Sequence, residues 1–185
     1  YDLAMHRSGN EKAEAANRRY IAELIRNHVS GRLKVAPEHT EDEVLEVMRK
    51  PSFSLFYEFK EIFDRINSRE DLKQQLIPYF ISSHPGCTET HMAELAIKTR
   101  DLDFHLEQVQ DFTPTPTEIY YSGVHPYTGE KIFTAITPEQ KLAQRQYFFW
   151  YDRAYRSGIM DSLRRLHRPD LIKRLFPGHL GYEPQ

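Results

Sequence analysis

The residues of this chain best suited to meeting a ligand fall in three polar turns, each after a short apolar run. Ser82-Ser83-His84-Pro85-Gly86 combines small hydroxyl side chains with a glycine, so backbone amides can come close to a ligand. A helix signal follows it, and a helix start carries partial positive charge. That combination suits a carboxylate, a phosphate or a sugar hydroxyl. The same composition also serves as a plain strand-to-helix connection.

The turn Pro37-Glu38-His39-Thr40 follows a run containing Lys34. On a strand, Lys34, Ala36 and Glu38 share one face, and Leu33, Val35 and Pro37 share the other. In a barrel the first of these faces points inward. A half-buried Lys34 then needs a partner, either Glu38 or an anionic ligand. The third turn, Gln110-Asp111-Phe112-Thr113-Pro114-Thr115-Pro116, places Gln108, Gln110 and Phe112 on one face. Glu107, Val109 and Asp111 take the opposite face. A glutamine pair can read a purine edge or a ribose, and it can equally satisfy buried backbone.

Other chemistry is poorly provided for. Nine histidines are present, but His39, His84, His91, His105 and His125 show no zinc-type spacing. The lone Cys87 has no second thiol. Its place at a helix start could lower its pKa, but the plainer reading is an inert small residue.

The elements that must position these turns are legible. Residues 32–36, 76–81 and 104–109 read as buried strands. Helices are expected over residues 10–29, from Thr40-Glu41-Asp42-Glu43 as a capping box to about Arg49, and from a Ser52 cap to about Asn67. In the last of these, Phe56, Phe59, Phe63 and Ile66 repeat at core spacing. Thr88 can cap another helix, with Met92, Leu95, Ala96 and Thr99 on its inner stripe. Beyond Pro116 the chain turns irregular, with a short strand over residues 131–135. Thr137-Pro138-Glu139-Gln140 then opens a helix running to about Tyr151 or beyond, and Arg168-Pro169-Asp170 opens a last short one. Repeated strand–turn–helix units imply an α/β fold with parallel strands, whose ligands sit at the strands' carboxyl ends.

Composition fits one folded domain with a real core. The chain has 185 residues, 39 % hydrophobic and 28 % charged, with a net charge of −2. That charge makes no global case for nucleic acid or an anionic membrane. One basic concentration, Arg153, Arg156, Arg164, Arg165, His167, Arg168, Lys173 and Arg174, reads as a solvated helical face or a polyanion contact. A single cysteine suits a reducing compartment, so a cytoplasmic location is expected. No apolar run reaches the roughly 20 residues of a membrane span. Tyr1-Asp2-Leu3-Ala4 reads as the tail of a strand, which suggests a piece of something longer.

Three literal runs carry a family resemblance. They are Gly31-Arg32-Leu33-Lys34-Val35-Ala36-Pro37-Glu38-His39-Thr40, Gln74-Gln75-Leu76-Ile77-Pro78-Tyr79-Phe80-Ile81-Ser82-Ser83-His84-Pro85-Gly86, and Leu106-Glu107-Gln108-Val109-Gln110-Asp111-Phe112-Thr113-Pro114-Thr115-Pro116. They closely resemble the YgiQ-type family of radical S-adenosylmethionine proteins, and the likeness extends to about Tyr151. The resemblance implies the C-terminal half of a partial (β/α)6 TIM-like barrel over residues 1–116. Residues 117–185 would then be a turn-rich and helical extension. Tyr1-Asp2-Leu3 would end the third strand, and the three runs would be strands four, five and six. Residues 80–86 look like the fifth-strand motif of related methylthiotransferases, where Ser82 and Ser83 replace a small residue or glycine. Phe112-Thr113-Pro114-Thr115-Pro116 looks like the sixth-strand turn beside the adenine, and Lys34 or Glu38 would meet the methionine or ribose.

On this basis Lys34, Glu38, Ser82, Ser83, His84, Gln108, Gln110 and Phe112 are the candidate residues facing S-adenosylmethionine. The family's Cys-x3-Cys-x2-Cys loop, which holds a [4Fe-4S] cluster, is absent here. The pattern also carries a few more residues between Pro116 and Thr117 than this chain does. The expected function is therefore that of a fragment of a radical S-adenosylmethionine iron-sulfur protein, inert alone. The alternative is a non-catalytic module that binds a nucleotide or a protein. An open three-strand sheet would also leave two bare edges, so a homodimer or a covering tail is expected.

Overall fold

The computed structural model describes residues 5, 9–106, 109–114, 118–125 and 127–178. The order is α1 (Glu11–Asn27), β1 (Arg32–Glu38), α2 (Asp42–Val47), α3 (Ser54–Arg69), β2 (Gln75–Ser82), α4 (Glu89–Asp101) and β3 (Val109–Asp111). There follow α5 (Glu118–Ser122), α6 (Pro138–Arg145), a 3-10 turn (Gln146–Phe149), α7 (Arg153–Arg165) and α8 (Pro169–Leu175). Local signals explain most of the starts. Asn10 caps α1 by accepting from the amides of Lys12 and Ala13. Thr88 and His91 form a reciprocal capping box on α4, and Thr137 and Gln140 form one on α6.

The three strands form one parallel sheet in the order β1-β2-β3. Leu33 lies beside Leu76, and Phe80 lies beside Val109. The register slips between Val35 and Glu38, across Pro37, which has no N–H to give to the ladder. Burial alternates along β2: Leu76, Pro78, Phe80 and Ser82 are buried, while Ile77, Tyr79 and Ile81 are half-buried. In β1, Val35 and Pro37 are buried and Lys34 is exposed. One face therefore packs under the helices and the other stays open, with Lys34, Ala36 and Glu38 on the open side as the alternation predicts.

The covered face meets a single core. Phe53, Phe56, Phe59 and Phe63 of the α3 region join Met92, Leu95 and Ala96 of α4 in it. Burying each such aromatic side chain stabilises by about 1.5–3 kcal/mol. Tyr147, Phe148, Ile159, Leu163, Leu171 and Leu175 belong to the same cluster, so the helices after Pro138 pack on α4. Arg174 of α8 grips Glu94 of α4 through two bonds of 2.6 and 2.8 Å.

Four expectations need correction. The third strand runs Val109–Asp111 and not over residues 104–109. The Phe104 amide is taken by the Thr99 carbonyl behind α4, and the Leu106 carbonyl accepts from the Tyr151 hydroxyl, so this stretch serves the helices. Thr40 does not cap α2. Its hydroxyl donates to Glu41, whose carboxylate and the Thr40 carbonyl are both held by Lys98. The helix after Thr137 ends at Arg145 and tightens into the 3-10 turn, where Tyr147 and Phe148 enter the core. Residues 131–135 form no strand, only the single bridge of Lys131 to Val124. The reading of Tyr1-Asp2-Leu3 as a strand end lies outside the described residues, as do Glu107, Gln108 and the Pro116–Thr117 junction.

Candidate functional site

Ser82 ends β2 on its buried face, level with Asp111 of β3. That register lets the Ser82 hydroxyl donate to Asp111 Oδ1 at 2.6 Å. The other carboxylate oxygen of Asp111 accepts from Arg145 at 3.1 Å. The Phe112 amide donates to the Ser82 carbonyl at 2.8 Å, which carries the chain out of β3 directly beside the serine turn.

Ser83 sits in the left-handed region, with φ of 63°. A non-glycine residue there is strained and persists only where its surroundings hold it. Its amide donates to Gln144 Oε1 at 2.8 Å, and Gln144 Nε2 donates to the Cys87 carbonyl at 2.7 Å. The Ser83 hydroxyl is fully buried and has no hydrogen-bond partner among the described residues. Leaving such a group unsatisfied costs about 1–3 kcal/mol. Gly86, at φ of 86°, gives its amide to the Phe133 carbonyl, and a Cβ there would stand 3.3 Å from Val47 Cγ2.

His84 points Nδ1 at the Pro85 carbonyl, 2.9 Å away, which leaves Nε2 as an acceptor in the neutral ring. Burial lowers its pKa, opposed by that backbone bond. Its ring meets Phe112 edge-on, with centroids 4.8 Å apart. Ser82, Ser83, His84 and Phe112 are therefore gathered in one place.

The remaining candidates divide. Lys34 is exposed and not half-buried as expected, and Glu38 pairs with Lys50 at 3.6 Å in place of Lys34. The sheet's other face is open, so nothing forces the lysine to find an internal partner. Glu38 ends β1 at φ of 69°. Gln110 is exposed on the open sheet face, where the Tyr79 hydroxyl bonds to it. Gln108 lies outside the described residues.

Behind the turn lies a pair that the sequence reading did not join. His39 and Cys87 are both fully buried, with Nε2 and Sγ 3.5 Å apart. The Glu41 amide donates to His39 Nδ1 at 3.1 Å, so the ring proton sits on Nε2 and faces the sulfur. Burial drives the His39 pKa down to about 3, helped by the nearby His91, Lys98 and His84. Burial also pushes the Cys87 thiol up to about 12. Both groups are thus neutral, the reverse of the thiolate–imidazolium state that a nucleophile requires. This agrees with the plain reading of Cys87.

Gln144, Arg145 and His39 were missed as site residues. Gln144 and Arg145 lie in a helix far along the chain, and no local pattern ties them to the turn. A cleft of about 420 Å³ opens elsewhere, between α2, α3 and α4, and includes Glu41, Tyr57, His91 and Lys98. Among the described residues no group of three or more His, Cys, Asp or Glu could hold a metal ion. Within the late basic cluster, Arg164 pairs with Asp161, Arg168 with Asp170 and Arg174 with Glu94. No helix among the described residues is long and apolar enough to cross a membrane.

Comparison with known proteins finds strong sequence relatives. The chain is 62 % identical over 180 residues to a UPF0313 protein of Bacteroides thetaiotaomicron. It is 56 % identical over 179 residues to one of Porphyromonas gingivalis, and 39 % over 166 residues to one of Geobacter sulfurreducens. These matches cover 95, 95 and 88 % of the chain but only 29, 28 and 27 % of the relatives. The chain thus spans less than a third of the length of the curated relatives it matches. No family model matches it. No solved structure matches it either.

Proposed function

We propose that this chain is part of a UPF0313 protein and forms the carboxyl-terminal half of a partial (β/α)6 barrel in a radical S-adenosylmethionine parent. One observation carries this reading. Among the described residues, three parallel strands are helix-covered on one face only, and their carboxyl ends gather Ser82, Ser83, His84, Asp111 and Phe112. A barrel segment needs such an open inner face, and barrel ligands sit at that end. The literal likeness to the YgiQ-type runs and the partial span of the UPF0313 relatives support it.

The [4Fe-4S] cluster does not fit this chain. The sole thiol, Cys87, is buried, protonated and bonded to His39, so any cluster ligands must come from elsewhere in the parent. S-adenosylmethionine does fit the strand-end residues. The buried Ser83 hydroxyl has no partner among the described residues, and the next residue, His84, packs its ring against Phe112. When bound, the cosubstrate supplies the sulfonium on which the parent's chemistry would act. The chain's own part is to hold it. Ser82 stays oriented by Asp111, and His84 stays neutral near physiological pH and accepts at Nε2. The outer edges of β1 and β3, which pair with no strand among the described residues, would be paired by the rest of the barrel, or by a second copy when the chain stands alone. The lone thiol suits a reducing cytoplasm.

The test is made on the parent reading frame. A Cys-x3-Cys-x2-Cys loop upstream, iron and sulfide on anaerobic reconstitution, and S-adenosylmethionine binding that Phe112→Ala weakens about tenfold or more are the expected results. A parent with no such loop would overturn the radical reading. Tight binding of S-adenosylmethionine by the iron-free chain would favour a nucleotide-binding module in its place.

A further inference from the structure

We propose that Gln144 of α6, outside the half-barrel, is the positioning residue that sets the ligand-facing shape of the Ser82–Cys87 turn. This rests on the reading of that turn as a ligand site.

Gln144 is fully buried, and both ends of its carboxamide are used. Its oxygen takes the Ser83 amide at 2.8 Å, and its nitrogen gives to the Cys87 carbonyl at 2.7 Å. One side chain thus ties together the two ends of a five-residue turn, Ser83 to Cys87. That turn begins with a left-handed serine and includes a left-handed glycine. Neither the strained Ser83 backbone nor its buried hydroxyl, which has no partner among the described residues, is favourable in itself, so the surroundings must impose both. The next residue works in parallel: Arg145 pairs with Asp111, and Asp111 accepts the Ser82 hydroxyl. Two consecutive residues of α6 therefore govern two consecutive serines of the turn.

The chemistry is specific to glutamine. The bridge needs a donor and an acceptor at the tip of a side chain of this length. Methionine has the length and neither function. An ionised glutamate has only acceptors and would set a negative charge against the Cys87 carbonyl. A protonated glutamate has both functions and should restore the bridge. Burial raises a carboxyl pKa, so that restoration falls within a workable pH range.

The experiment uses the full chain, isotope-labelled for amide hydrogen exchange and scalar couplings at Ser83, with S-adenosylmethionine itself as the binding probe. Gln144→Met should speed exchange at the Ser83 amide about tenfold or more while the Leu95 and Phe59 amides hold steady. It should weaken S-adenosylmethionine by a similar factor. Gln144→Glu should match Gln144→Met at about pH 8 and return toward the unaltered chain, measured at equal pH, near pH 5. An unchanged Ser83 amide in Gln144→Met, or a Gln144→Glu defect equal at both pH values, overturns the proposal. If the unaltered chain and its reconstituted parent both fail to bind S-adenosylmethionine, the ligand reading falls. Ser83 exchange then still decides whether Gln144 sets the turn.

Discussion

Mild acid should destabilise this protein through His39, and the size of the effect follows from the burial of that ring. His39 is fully buried, receives the Glu41 amide on Nδ1 and faces Cys87 with Nε2, so protonation would break a hydrogen bond and bury a charge. Its folded pKa is about 3, lowered first by burial. In the unfolded chain it returns to about 6.5. Below that value the unfolded state binds a proton that the folded state refuses, so stability falls as pH falls, down to about 3. The slope approaches ~1.4 kcal/mol per pH unit, and integration between about pH 7 and pH 5 gives a loss of about 2 kcal/mol. His84, also lowered by burial, adds in the same direction. His39→Gln keeps an acceptor and a donor in the pocket but does not titrate in this range. Urea denaturation at about pH 7, 6 and 5 should show the unaltered protein losing about 2 kcal/mol more than the variant. Parallel pH profiles for the two proteins would refute the reasoning.

Two further outcomes follow from burial. Phe59, 1 % exposed in the middle of α3, should cost ~3–5 kcal/mol when truncated to alanine, read as a drop in urea midpoint. A loss below about 1 kcal/mol would mean that the aromatic row does not form the core. Cys87 should resist an aromatic disulfide reagent in the native protein at neutral pH and react fully in denaturant, because its thiol is buried and pushed up to about 12. Rapid native labelling would contradict the neutral His39–Cys87 pair.

Much of the scaffold was legible because its signals are local. The caps at Asn10, Thr88 and Thr137, and the apolar spacing of Phe56, Phe59, Phe63 and Ile66, each need only a few neighbouring residues. Alternation in β1 and β2 likewise reveals which side chains share a face, and the serine turn falls where a strand must hand over to a helix. The third strand was harder. Phe104 and Leu106 are as apolar as strand residues, yet their backbone is claimed by α4 and by Tyr151. The Thr40 cap failed for a similar reason: Lys98, from a different helix, takes the Glu41 carboxylate and the Thr40 carbonyl.

The sequence by itself determined most of the helix starts, though not those of α5 and α7, together with two of the three strands and the polar turn at the end of β2, since propensity, periodicity and capping act over one or two turns of chain. Only the tertiary structure decided what that turn is attached to. Gln144 reaches Ser83 across 61 residues, Arg145 reaches Asp111 across 34, and His39 reaches Cys87 across 48. Such pairings depend on where the whole core places each element. A glutamine on a helix carries no local mark of the amide it will hold.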